Sequence, residues 1–81
     1  MFQHVKLFPN PVSDILLIEG HQANESQYWS LVNNLGIEIW QKELNPNQSL
    51  SDISLKSLPS GVYFLRVNAD SGAAIWRVVK E

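Results

Sequence analysis

No window of 11 or more residues in this chain keeps apolar side chains at i, i+3, i+4 and i+7, the spacing an amphipathic helix needs. Short apolar or alternating runs recur instead, each closed off by Pro, Gly, Asn, Asp or Ser. That pattern belongs to sandwiches and barrels of short strands. The runs fall near 5–8, 14–19, 27–33, 37–43, 49–55, 62–69 and 73–80. Seven short strands in 81 residues predict an all-β fold: a compact antiparallel β-sandwich of immunoglobulin-like architecture. No linker, low-complexity segment or internal repeat divides the chain, so 1–81 reads as a single domain. A domain of this size buries only about 60–65% of its unfolded surface, which leaves a thin stability margin.

Two loops are specific enough to suggest strand register. Asn34-Leu35-Gly36 follows a run with Trp29 and Leu31 on one face and precedes a run with Ile37 and Ile39 on one face. The two apolar faces coincide if Leu31 pairs with Ile39 and Asn33 with Ile37. That leaves a three-residue loop with Gly36 in the left-handed position. Trp40 then lies on the polar face opposite Ser30, and Lys42 lies opposite Tyr28. Asp70-Ser71-Gly72 reads the same way, pairing Ala69 with Ala73 and Val67 with Ile75 and setting Arg66 opposite Trp76. The runs 15–18 and 62–65 are apolar on both faces, so they are expected in the middle of a sheet or under a cover.

Residues 7–11, LFPNP, are the stiffest stretch. Pro9 and Pro11 lack an N–H and fix φ, and each drives its predecessor towards extended backbone. They stop the first strand and make a corner in which the Asn10 side chain bonds local backbone. Leu58-Pro59-Ser60-Gly61 is a second such turn, with Pro59 at its second position and Gly61 in a conformation other residues resist. Tyr63, Leu65 and Val67 share one face of the strand that follows.

Catalytic chemistry is hard to assemble from this chain. There is no cysteine, which removes disulfides, thiolate metal sites and a cysteine nucleophile. His4 and His21 stand alone, in solvated or capping roles. Asp14, Glu19, Glu25, Glu38, Glu43, Asp52, Asp70 and Glu81 are spread singly, with no calcium-loop spacing. Neither a nucleophile elbow nor a phosphate-cradling glycine loop occurs. The expectation is a non-enzyme without cofactor or metal. Net charge is −2 and the six Lys and Arg are scattered, which argues against nucleic acid. No apolar run reaches the ~18–20 residues of a membrane span. Met1-Phe2-Gln3-His4 has neither the basic start nor the apolar stretch of a signal peptide, so an export signal is expected upstream and the chain reads as a fragment of a longer precursor. Tyr28, Trp40 and Trp76 form a candidate partner surface. The plainer reading is that aromatics cover the sheet or stack on Lys42 and Arg66.

Taken together, LFPNP followed by Asp14-Ile15-Leu16-Leu17-Ile18, the central LVNNLG leading into IEIW, DISL, the segment LPSGVYFLRV and the terminal WRVVKE resemble the C-terminal sorting domain of the type IX (Por) secretion system, in its type A form. That family typically shows a Y-P-N-P start, a central Y-D-x-x-G turn, an L-x-x-G-x-Y segment and a K-x-x-K-like last strand. Phe8, Val32-Asn33, Ala74 and Trp76 depart from it. The resemblance places the sorting motif on Pro9, Asn10, Pro11, Gly36, Leu58, Gly61, Tyr63, Val78, Val79 and Lys80.

The resemblance implies a non-catalytic signal at the C-terminus of a cargo protein. The cargo passes through the periplasm, crosses an outer-membrane translocon and ends at the cell surface or secreted. A sortase-like peptidase normally removes the domain. The implied partners are that translocon, that peptidase and the upstream cargo domain. The last strand is the best candidate for recognition, with an unpaired edge and apolar side chains at Ile75, Trp76, Val78 and Val79. Apolar residues on both faces of some strands leave room for a homodimer. The alternative is an adhesion or carbohydrate-binding module, which would display an aromatic strip near Tyr28 and Trp40.

Overall fold

The computed structural model describes residues 4–19 and 23–81. The expectations for His21 and for the first three residues lie outside them. The described strands are β1 (Lys6–Phe8), β2 (Ile15–Glu19), β3 (Gln27–Asn33), β4 (Glu38–Leu44), β5 (Asp52–Ser54), β6 (Gly61–Ala69) and β7 (Gly72–Lys80). They form two antiparallel sheets, β1-β2-β5 and β4-β3-β6-β7. This is the antiparallel β-sandwich that the spacing of runs and turns predicts, with the fourth strand beside the third, where strand C′ lies beside C in variable-type immunoglobulin sheets. Expected and observed strands agree closely except at β5, where the run at 49–55 shrinks to three residues.

The core lies between the sheets. Leu16 and Ile18 face it from β2, Ile53 from β5, Trp29 and Leu31 from β3, Leu65 and Val67 from β6, and Val78 from β7. Val12, Leu50 and Leu55 close it from the connections. Strand alternation produces this: successive side chains point to opposite faces, so one residue in two is buried. β6 is central in its sheet, and its outward Val62 and Phe64 are half-covered. β2 is central too, yet its outward Ile15 and Leu17 are exposed, so nothing among the described residues covers that face.

Both hairpins revise the expected register. At the first, Gly36 adopts φ +82° and Asn33 shares backbone hydrogen bonds with Gly36 and Ile37, so the three-residue loop is as expected. The Asn33 side chain adds to it, its Oδ1 accepting the N–H of Leu35 and of Ile37. One step beyond, a β-bulge intervenes between Leu31 and Val32: Val32 pairs with Glu38, but Leu31 pairs with Trp40, not Ile39. An extra residue in one strand moves all later side chains to the other face. Gln41 therefore sits opposite Ser30 and Glu43 opposite Tyr28. Trp40 packs against the core, while Ile37 and Ile39 are exposed.

At the second hairpin Ala69 pairs with Gly72, so the loop is Asp70-Ser71 alone. Val67 faces Ala74, Arg66 faces Ile75 and Leu65 faces Trp76. The one-residue difference turns Trp76 inward, where its ring stacks on Trp29 with centroids 5.7 Å apart and planes 2° from parallel. Ile75 turns outward in exchange. Burying the larger aromatic surface, and gaining the stack, outweighs burying isoleucine.

Candidate functional site

The corner after β1 meets the last strand. β7 is an edge strand, bonded on one side to β6. On its other side, the N–H of Val12 donates to the Val79 carbonyl and the N–H of Glu81 donates to the Val12 carbonyl, each at 2.8 Å. This is a parallel bridge of Val12 with Lys80. Just before it, Asn10 supplies a side chain in place of a backbone. Its Oδ1 accepts the N–H of Val79 at 2.9 Å, and its Nδ2 donates to the Arg77 carbonyl at 3.1 Å. An amide side chain carries the donor and acceptor of one peptide unit, so it completes the edge as a neighbouring strand would. Pro9 and Pro11 flank Asn10 and hold its backbone where the amide meets β7.

The bonds of Arg77, Val79 and Glu81 show which backbone groups of β7 turn away from β6. With the two-residue period of an antiparallel ladder, those of Ala73 and Ile75 turn the same way. The β7 edge is thus sealed from the Arg77 carbonyl to Glu81 and open from Ala73 to the Arg77 N–H. Val79 and Lys80 lie on the sealed half. Val78 faces the core and is fully buried. Among the apolar side chains expected along this edge, Ile75 alone stands exposed on the open half.

The LPSGVY segment builds a second fixed point. The Tyr63 hydroxyl donates to the Pro59 carbonyl, four residues back, at 2.6 Å. This is the tyrosine corner of immunoglobulin-like sandwiches, in which a tyrosine near the start of a central strand ties down the preceding turn. Gly61 has φ +158° at the strand entry, and Leu58 packs against the core from that turn. Gly36 sits in the β3–β4 loop at the same end of the sheet, since Asn33 pairs with Tyr63, and a Cβ there would meet nothing within 4 Å.

The three aromatics of the candidate partner surface do not form one strip. Trp40 and Trp76 pack against the core on the inner side of their sheet. Tyr28 lies on the outer side, where its hydroxyl donates to Glu38 Oε1 at 2.7 Å and also contacts Gln41 Oε1. The Glu38 hydrogen bond favours the neutral phenol and raises the Tyr28 pKa. At the rim, Glu25 Oε1 accepts from the N–H and the hydroxyl of Ser71, at 3.0 and 2.7 Å, which ties the β2–β3 connection to the last hairpin. Those bonds, the backbone N–H foremost, stabilise the carboxylate and lower its pKa.

Sequence reasoning missed the span of Asn10 to β7. The side chain was expected to bond its own turn. A side-chain bond reaching 69 residues ahead leaves no local pattern, although an asparagine held between two prolines is its trace.

Among the described residues no three His, Asp or Glu side chains gather as a metal site would require. The chain matches no curated protein. A family model for the secretion system C-terminal sorting domain matches residues 6–81, nearly the whole length. That match gives no support to the carbohydrate-binding alternative. It agrees with what LFPNP, LPSGVYFLRV and the terminal strand imply, and this chain belongs to the C-terminal sorting domains, the signals that route proteins through type IX secretion.

Proposed function

We propose that this chain is the non-catalytic C-terminal domain of a longer precursor. It carries an upstream cargo domain from the periplasm into the outer-membrane translocon and is then removed by a sortase-like peptidase. The cargo finishes at the surface or in the medium. The family match over residues 6–81 carries this reading. The fold supports it in two ways. The aromatics that a sugar-binding strip would need point to opposite sides of their sheet. The Asn10 clamp joins the first corner of the domain to its last strand, so the PNP corner and the last strand, two parts of the resembled motif, form one structural unit.

The test is a reporter joined to the chain and expressed in a bacterium with a type IX system, with and without its sorting peptidase. The exported reporter should lack the mass of residues 6–81 in the first strain and retain it in the second. Export of an uncut fusion in both strains would refute removal, and a reporter that stays periplasmic in both would refute the sorting role.

A further inference from the structure

The open half of β7 has side-chain chemistry as well as free backbone. On the outer face of β6 and β7 stand Val62, Phe64, Arg66, Asn68, Ala73, Ile75, Arg77 and Val79. Both charged residues there are cationic, in a chain whose net charge is −2. The glutamates of this sheet's outer face, Glu38 and Glu43, lie across it on β4. Ala73 is small, and beside it a cleft of about 250 Å³ is lined by Arg66, Val67, Asn68, Ala73, Ala74 and Ile75. Arg66 lines that cleft. Its Nε is buried and meets no acceptor among the described residues.

We propose that residues 73–77 take an added strand from a partner protein, and that this strand alternates acidic, apolar and acidic side chains on one face. Strand addition supplies main-chain hydrogen bonds, and pockets for alternate side chains supply specificity. The backbone groups of Ala73 and Ile75 and the N–H of Arg77 face the incoming chain. The Arg77 carbonyl is already held by Asn10, so the sealed half ends the site. Alternate residues of the new strand share the outer face with Ala73, Ile75 and Arg77. A carboxylate beside Ala73 enters the cleft and meets Arg66 and Asn68. An apolar residue beside Ile75 covers its exposed side chain, the cross-strand contact that stabilises sheets. A second carboxylate meets Arg77. The motif is acidic–any–apolar–any–acidic and reads the same in either strand direction. A cationic or neutral strand would leave Arg66 without a counter-charge, which is how the site discriminates.

The inference deepens the sorting reading, for which it names a docking edge and the chemistry of what docks. It is tested without any secretion machinery. The isotope-labelled chain is titrated with a capped peptide of glutamate, threonine, valine, threonine and glutamate, and with the same peptide carrying lysine for glutamate. The acidic peptide should shift the amides of Ala73, Ile75 and Arg77 saturably and slow exchange at Ala73 and Ile75. The lysine peptide should not. R66Q should weaken binding about tenfold, the loss of one charge-assisted contact, while amide shifts away from the cleft show that it is folded. R77Q should weaken it in the same direction, and added salt should weaken it further. The proposal is overturned by the absence of binding, by equal binding of both peptides, by shifts centred on β4 or on Phe8, Ile15 and Leu17, or by an R66Q variant that binds as tightly. Any of these results leaves the export test unaffected. Failure of export with normal peptide binding would sink the sorting reading alone.

Discussion

The side-chain oxygen of Asn10 accepts the backbone N–H of Val79 at 2.9 Å, joining positions 69 residues apart. The same amide donates to the carbonyl of Arg77, two residues earlier on the same strand edge. Asn10 thereby occupies the place of one peptide unit in a strand that β7 otherwise lacks, and Val12 continues the pairing in main chain. The stiffness of LFPNP serves this contact. A freely rotating loop would lose more conformational entropy in presenting the amide at a fixed height on the edge.

Asn10→Ala removes both bonds and returns the Arg77 carbonyl and Val79 N–H to water. The clamp is exposed, so the expected loss is about 1–2 kcal/mol in urea unfolding. Asn10→Asp keeps an acceptor for Val79 but turns a second oxygen towards the Arg77 carbonyl, so it should recover only part of that loss. Amide exchange distinguishes a clamp from a general weakening. Val79 should lose protection in Asn10→Ala far more than Leu65 does, and equal losses would contradict the clamp.

Trp76 should matter more than its half-exposed position suggests. Its ring lies parallel to that of the fully buried Trp29, whose Nε1–H donates to Gln27 Oε1 at 3.0 Å. Trp76→Ala strips one face of that stack and should cost about 3 kcal/mol, with Trp76→Phe costing less. Near-ultraviolet circular dichroism should lose the signal of the coupled indoles in both variants. A spectrum that keeps it would place Trp76 elsewhere.

Ser30 carries the opposite expectation. Its hydroxyl is buried on the outer side of β3, under neighbouring side chains, and has no hydrogen-bond partner among the described residues. Removing a buried polar group with no partner relieves its desolvation, so Ser30→Ala should be neutral or stabilising by up to about 1 kcal/mol. A loss of stability larger than that would mean that the hydroxyl has found an acceptor.

Glu25 makes stability depend on acid. Ser71 lowers its pKa in the folded state, chiefly through the backbone N–H and then through the hydroxyl. A depressed folded-state pKa contributes stability above the carboxyl's unfolded pKa. That contribution is lost as pH falls through the folded value. Glu25→Gln should therefore lower the urea midpoint at neutral pH and converge on the parent in acid. Parallel midpoint-versus-pH curves would show that the tie to Ser71 contributes nothing.

The strand pattern was legible because this fold obeys local rules nearly everywhere. Turn residues end each run, and no helical period competes. Register was less legible, and the reason lies in single residues. Whether Ile39 or Trp40 faces inward depends on a bulge beside Leu31, and whether Ile75 or Trp76 does depends on a loop of two residues or three. Both alternatives present apolar side chains to the core, so alternation alone cannot choose between them. Packing chooses: each tryptophan buries more surface inside than the isoleucine beside it would. The sorting role was legible from LFPNP and LPSGVYFLRV together. Two of the physical tasks of those segments, the Asn10 clamp and the Tyr63 hydroxyl on the Pro59 carbonyl, needed the fold to be seen.

The most direct test of the sorting role is an export assay. A periplasm-targeted reporter is fused to residues 2–81 in a type IX-competent bacterium, beside a fusion that ends at Ser71 and so lacks β7. The intact fusion should reach the surface or medium, and the shortened one should stay in the periplasm. If both stay in the periplasm while a known sorting domain exports the same reporter in that strain, this chain is not a working sorting signal.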